Sequence, residues 1–115
     1  MQDYTAQQHE ILVRADRAEA LAAQAYARLL HLAETRDSGQ IPKIAAFIAA
    51  TYNGQSFPLD LFILRTVDYS ICEDMLLCID ALRWGRNDLY KLVPDGARRI
   101  EAICEAWGLK WEDAR

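Results

Sequence analysis

The first 38 residues contain neither glycine nor proline, and helix-forming residues dominate from Thr5 to Arg36. Apolar residues recur in this stretch at alternating steps of four and three, the spacing of a heptad seam: Ile11, Ala15, Ala18, Ala22, Ala25, Leu29 and Leu32. A helix of about 32 residues is about 48 Å long, whereas a small domain is only about 30 Å across. We therefore predict a long N-terminal helix that bends, breaks or projects from the domain.

Two interpretations of this seam stay open. Its alanines allow two backbones to approach closely, and a homodimer through Ile11, Ala15, Ala18, Ala22 and Ala25 would use them. Alternatively, residues 26–33 pack on the domain's own core and about the first 20 residues form a loosely docked arm. We predict a helical arm over residues 1–28, continuous with a single helical domain over residues 29–115.

Further helical stripes follow the seam. Apolar spacing predicts one central helix over Ile41–Tyr52, a second over Val67–Leu82, and a last helix that opens after Pro94 and ends at Gly108. Between the first two, a short helix would turn Leu59, Phe62 and Ile63 inward, with a short buried strand as the alternative. The fold class that we predict is all-α, a compact bundle of four to five helices.

The net charge and the cysteine content limit the binding partners and the cellular compartment that we expect for this protein. The formal net charge is −4, from 13 basic and 17 acidic residues, which argues against sequence-blind nucleic-acid binding. The three cysteines are odd in number and lie in apolar segments, which is typical of free thiols in a reducing cytoplasm. The N-terminus lacks the features of a signal peptide, and no apolar run is long enough to span a membrane. We expect a cytoplasmic protein without a membrane partner.

No motif for catalysis or for a cofactor is evident. The two histidines are 22 residues apart, and no cysteine–histidine spacing fits a metal site. The stretch Ser38-Gly39-Gln40 has one glycine and lacks phosphate-loop spacing, so we interpret it as a corner in which Gly39 takes a left-handed conformation. We expect no enzyme activity, no metal and no cofactor.

One face of the third helix is a candidate partner-binding surface. Glu73, Leu77, Asp80 and Trp84 follow each other at steps of four, three and four, so they share a face that mixes acidic and apolar side chains. Aromatic residues at a polar rim are typical of binding hot spots. The alternatives are a solvated acidic face, and cover by another segment of the same chain.

The basic residues concentrate late in the chain, which raises an alternative. Arg83, Arg86, Arg98 and Arg99 are interleaved with aromatic residues, a composition that single-stranded nucleic-acid surfaces use. The same residues also suit ordinary helix ends and a soluble surface. Nucleic-acid contact is therefore the weaker interpretation, though it stays open.

Six segments of the chain carry a resemblance to known proteins: DSGQ (37–40), IAAFIAATYNG (44–54), FPLDL (57–61), LRTVD (64–68), EDML (73–76) and WGL (107–109). They resemble a family of small uncharacterised proteins encoded on bacterial plasmids, prophages and integrative elements. The resemblance begins near Leu29 and departs from the family pattern at Pro42. It implies an origin on a mobile element and assigns no activity and no site residue.

Together these observations predict a non-enzymatic protein-interaction factor of a mobile genetic element. An accessory or counter-defence protein that binds a host or element protein, such as an anti-CRISPR inhibitor, would fit this description. The alternative is a small dimeric nucleic-acid-binding regulator.

Overall fold

The computed structural model describes the backbone of residues 3–110 and the side chains of residues 5–110. It contains α1 (Asp3–Thr35), α2 (Ile41–Tyr52), α3 (Tyr69–Leu82) and α4 (Gly96–Ala106). Short 3₁₀ helices precede α3 (Leu61–Arg65) and α4 (Leu89–Leu92). Since residues 3–110 include no strand, the prediction of an all-α bundle with a long first helix is confirmed. The predicted domain limits at 1 and 115 lie outside the described residues, and the limit at 28 falls within the uninterrupted α1.

The core lies where the four helices meet, and its largest buried side chains come from every one of them. These are Tyr26, Leu29, Leu30, Ile44, Phe47, Ile48, Met75, Cys78, Ile100 and Cys104. The buried Tyr26 hydroxyl lies 2.7 Å from Thr51 Oγ1, and Thr51 Oγ1 itself donates to the Ile48 carbonyl at 2.6 Å. Because the hydroxyl hydrogen of Thr51 is used there, Tyr26 donates to Thr51. The one polar atom that Tyr26 brings into the core is therefore paired, as burial requires.

The seam of α1 packs against α3 of the same chain. The two helices run antiparallel, because Arg28 pairs with Asp74 while Arg86, just beyond the end of α3, pairs with Asp16. All four seam alanines between residues 15 and 25 are at most 6% exposed: Ala15, Ala18, Ala22 and Ala25. These four predicted dimer residues are therefore covered within one chain. Ile11 differs, since 47% of its surface is exposed.

The N-terminal turns of α1 project beyond the rest of the bundle. The 33 residues of α1 correspond to about 50 Å, and the molecule is 53 Å in its longest dimension. All side chains from Thr5 to Arg14 are exposed, including the apolar Leu12 and Val13. Of the three predicted outcomes for this long helix, which were bending, breaking and projecting from the domain, the structure shows projection.

The 3₁₀ helix before α3 departs from the sequence expectation. Phe62 is 65% exposed and Leu61 68% exposed, so the prediction that Phe62 faces inward is wrong. The Asp60 carboxylate accepts a hydrogen bond from the Phe62 backbone N–H at 3.0 Å and fixes the start of this short helix. A single turn has no full inward face, and the core contact here comes instead from the partly buried Leu64.

The corner between α1 and α2 has a different construction from the predicted one. Gly39 does not take a left-handed conformation; within residues 3–110 the glycines that do are Gly85 and Gly108, which follow α3 and α4. Gln40 precedes α2 and uses its side chain to hold the start of α3. Its amide nitrogen donates to the Asp68 carboxylate at 2.9 Å, and its amide oxygen accepts from the Asp68 backbone N–H.

Candidate functional site

A wide recess of about 700 Å³ opens between the C-terminal half of α1 and the first turns of α3. Its lining residues are Ala27, Arg28, His31 and Leu32 of α1, with Tyr69, Ser70, Ile71, Glu73 and Asp74 of α3. The small Ala27 and Ser70 side chains leave room between two helices that are in close contact elsewhere. This volume lies within the usual range for ligand and peptide sites, about 300–1,000 Å³.

The rim of the wide recess is exposed. Tyr69 is 80% exposed, and His31 and Glu73 are exposed as well. The Arg28 guanidinium makes a two-point contact with Asp74, with Nε–Oδ2 and Nη2–Oδ1 distances of 3.0 and 2.8 Å. Asp74 is therefore neutralised by its neighbour, whereas Glu73 makes no ion pair within residues 5–110.

A narrow recess of about 130 Å³ lies on the same flank of the helix pair, near the end of α3. It is formed by Arg14, Arg17, Ala18 and Leu21 of α1 with Asp80, Arg83 and Trp84. Residues of α1 at steps of three and four share a flank, and so do residues of α3. Both recesses therefore lie along one flank of the α1–α3 pair, and we call this flank, with its two recesses, the α1–α3 crevice.

The four predicted partner-binding residues form the α3 wall of this crevice. Glu73 lines the wide recess, and Asp80 and Trp84 line the narrow one. Leu77 lies between them on the same flank and is partly buried against the core. The helical spacing brings all four side chains to one surface, and neighbouring residues of the same chain cover part of Leu77 and Trp84.

The opposite wall was not predicted. Arg17, Leu21, Arg28 and His31 recur at steps of three, four or seven along α1, so a second stripe beside the alanine seam is visible in the sequence. Only the antiparallel pairing of α1 with α3 shows that this stripe faces Glu73 and Asp80. Tyr69 was also missed, because it stands at the first residue of α3, where helix periodicity gives little guidance.

Trp84 closes the narrow end of the crevice. The Arg83 guanidinium carbon lies 4.3 Å from the Trp84 ring centroid, a cation–π contact, and Arg83 Nε also donates to Asp80 at 2.7 Å. The Trp84 Nε1 atom is buried and finds no acceptor among the described residues. An unpaired buried donor of this kind costs about 1–3 kcal/mol.

The four arginines of the nucleic-acid alternative do not form one patch. Arg83 pairs with Asp80, Arg86 with Asp16 and Glu19, Arg98 with Asp95, and Arg99 with Glu34. Glu19 and Glu34 are 15 residues apart on α1, which corresponds to about 22 Å along the helix. Arg86 and Arg99 are therefore separated by most of the bundle, and each of the four is already neutralised by a carboxylate.

Two of these ion pairs shift the acidity of the carboxyl groups. The Arg86 hydrogen bond lowers the pKa of Glu19, and the Arg99 hydrogen bond lowers the pKa of Glu34. Both effects favour the charged carboxylate in the folded protein. The pairs therefore hold α1 to the Arg86 turn at one point and to α4 at another.

The cysteines are free thiols in different surroundings. Cys78 and Cys104 are buried, and Cys72 is half-buried. Burial raises the pKa of the Cys78 thiol to about 12 and also raises that of Cys104. Such thiols are poor nucleophiles at neutral pH.

The described residues offer neither a metal-binding cluster nor a membrane-spanning helix. The His, Cys, Asp and Glu side chains there form no group of three or more that could hold a metal ion. None of the helices described combines the length and the apolarity that crossing a bilayer requires.

Comparison with known proteins places this chain in a family. A family model described as "family of unknown function (DUF7673)" matches residues 23–108, about three-quarters of the sequence, and the chain belongs to that family. The match begins inside α1, at Ala23, so the projecting turns of α1 lie outside it. No curated protein and no solved structure matches the chain.

Proposed function

We propose that this member of a family of unknown function is a non-enzymatic protein-interaction factor that binds its partner through the α1–α3 crevice. The observation that carries the proposal is an open apolar recess of about 700 Å³ with exposed Tyr69 and Glu73 at its rim. A concave apolar surface with an aromatic anchor and a polar rim has the anatomy of a protein-binding hot spot.

The origin of the partner follows from the sequence resemblance alone. Similarity to proteins of plasmids, prophages and integrative elements favours a host protein in the cytoplasm, which such a factor would inhibit or recruit. An accessory or counter-defence role belongs to this proposal. The net charge of −4 is compatible with a partner that is basic around its binding surface.

The nucleic-acid alternative has less support. A protein that binds phosphates needs cations that are free to displace counterions, and the four candidate arginines are occupied by carboxylates. A salt titration with a labelled duplex and a labelled single strand tests this alternative directly. Binding at low salt with a steep salt dependence would revive it.

The crevice itself is tested by filling it. Ala27→Leu adds three heavy atoms to the lining of the wide recess, and Ala20→Leu makes the same change at an exposed position of α1 outside both recesses. Both purified proteins, with the wild type, are used to capture proteins from host lysate, and thermal melts establish that all three are folded. We expect Ala20→Leu to retain the specific partner and Ala27→Leu to lose it. Equal capture by all three proteins would remove the crevice from the proposal.

A further inference from the structure

The two ends of the α1–α3 crevice carry opposite unbalanced charge. At the wide end, Arg28 and Asp74 neutralise each other through their two-point contact. Glu73 then remains as the charge without an ion pair within residues 5–110. His31 is the other titratable group on the α1 side of this recess. The unbalanced carboxylate of Glu73 makes the wide end negative.

The narrow end is positive. Arg14, Arg17 and Arg83 line it together with one acid, Asp80. Arg83 pairs with that acid, and Arg14 makes only an exposed 3.6 Å contact with Glu10. Arg17 has no ion pair among the side chains described. This end therefore keeps about one to two cations without a close counterion.

The length of the crevice indicates which kind of protein segment could bind along it. Ser70 and Trp84 stand at its two ends, and the 14 residue steps from one to the other correspond to about 21 Å at the rise of a helix. Apolar residues lie at both ends, Leu32 and Ile71 in the wide recess and Leu21 and Trp84 in the narrow one, and Leu77 lies on the same flank of α3 between them. Four turns of an amphipathic helix have this length and present apolar side chains at matching intervals.

We propose that the occupant of the crevice is an amphipathic helix of a partner protein, bound in one orientation. Its apolar face lies on the crevice floor, its basic end at Glu73 and its acidic end at Arg14 and Arg17. The charge difference between the ends sets the direction, because the reversed helix would place like charges together at both ends. This inference rests on the proposed function, since it identifies the kind of partner that the same crevice binds.

A designed peptide tests the orientation without knowledge of the natural partner. The probe is an 18-residue amphipathic helix with leucine and alanine on one face, two glutamates in its first turn and two lysines in its last. This order also suits the dipole of the peptide helix. A nitroxide is attached beside the lysines in one sample and beside the glutamates in a second. A third peptide carries glutamines in place of all four charges.

Paramagnetic broadening of ¹⁵N-labelled protein signals is then measured in the presence of each peptide. We expect the lysine-end label to broaden Tyr69–Glu73 and the glutamate-end label to broaden Arg14–Arg17. Glu73→Lys and Arg17→Glu should each weaken binding by about tenfold, the effect of like charges at a contact. Combining the two substitutions should restore affinity and exchange the two broadening patterns. Glu105→Lys makes the same change of net charge as Glu73→Lys at an exposed site outside the crevice and should leave binding as it is.

Three results would overturn the inference. The first is that either label broadens the signals at both ends of the crevice. The second is that the glutamine peptide binds as tightly as the charged peptide. The third is that no peptide changes the chemical shifts of the crevice residues. The lysate experiment separates this failure from that of the proposed function. If Ala27→Leu loses a partner that Ala20→Leu retains, the crevice binds a protein, whatever the peptides do.

Discussion

The Arg86 guanidinium donates to the Glu19 carboxylate at 2.8 Å, across 67 residues of sequence. The same Nη2 atom also lies 2.8 Å from Asp16 Oδ1, and Asn87 donates to the other oxygen of Glu19 at 3.1 Å. This turn after α3 is thus attached to α1 four residues or more before the family match begins at Ala23. Among the side chains of residues 5–110, it is the last polar attachment to another element before the projecting turns of α1.

Removing this attachment should loosen the N-terminal part of α1 and leave the core intact. We expect Arg86→Ala to increase amide hydrogen exchange over residues 12–20 with little change over residues 26–33, whose side chains are in the core. The loss in global stability should be small, because exposed ion pairs contribute little. Arg83→Ala is the matched control, because Arg83 pairs with Asp80 three residues away and does not reach α1 through an ion pair. Equal exchange in both variants would contradict the attachment.

The alanine seam should tolerate no larger side chain. Ala22 is fully buried between α1 and its neighbours, so Ala22→Leu should destabilise the protein by about 1–3 kcal/mol through overpacking. Ala20 lies two residues earlier on the exposed side of α1, so Ala20→Leu should change stability little. Urea unfolding combined with light scattering checks this. If the Ala22→Leu variant were instead more stable than the wild type, and its stability increased with protein concentration, the seam would be a dimer seam.

The turn before α4 depends on the absence of a side chain at Gly96. A Cβ atom there would lie well inside the van der Waals radius of the Tyr90 carbonyl oxygen, and backbone atoms cannot rotate away. We expect Gly96→Ala to cost about 1–3 kcal/mol in urea unfolding. Gly39→Ala is the control, since a Cβ at Gly39 meets no atom within 4 Å and Gly39 has no left-handed backbone. That variant should be neutral or more stable by up to about 1 kcal/mol.

Acid should weaken the bundle below the ordinary carboxyl range. The pKa values of Glu19 and Glu34 are lowered in the folded protein by Arg86 and Arg99, so their ionised forms stabilise it. This contribution is fully present above the unfolded value near 4.5 and is lost as the pH falls through the lowered folded values. Urea midpoints at pH 7, 4.5 and 3 should therefore decline mainly in the last interval.

Substitution identifies the groups responsible for this acid effect. Glu34→Gln should reduce the decline between pH 4.5 and 3, because the carboxyl group that loses its charge is no longer present. Glu105→Gln removes an exposed carboxyl group that makes no ion pair within the described part of the chain, and should leave the decline unchanged. An identical decline in the wild type and Glu34→Gln would assign the acid effect to other groups.

Periodicity predicted most of the helices, because long apolar stripes leave few alternatives. The Ile41–Tyr52 helix has the predicted limits, and α1 ends one residue before the predicted Arg36. The sequence could not identify what covers the alanine seam. A heptad pattern shows that another helix packs there, and the pattern is the same whether that helix is α3 or a second copy.

Part of the candidate site, like part of the fold, could be predicted from the sequence. The α3 wall was predictable, since Glu73, Leu77, Asp80 and Trp84 are related by helical spacing alone. The α1 wall and the recess between them depend on which turn of α1 meets which turn of α3, a register set by tertiary contacts such as Arg28–Asp74. Phe62 failed as a core prediction because one 3₁₀ turn carries too few residues for its period to be informative.

The Gln40–Asp68 contact has a consequence for protein engineering. The Gln40 side-chain amide joins the start of α2 to the start of α3. Since α2 is one continuous helix, this contact also holds its end near α3, whatever the length of the connection from Asn53 to Val67. Lengthening such a closed loop costs little entropy, about 0.6 kcal/mol for each doubling. The exposed Gly54-Gln55 bond lies outside the residues that line the crevice, so a fluorescent or affinity module inserted there would cost mainly the two hydrogen bonds that Asn53 Oδ1 accepts from the Gln55 and Ser56 backbone N–H groups.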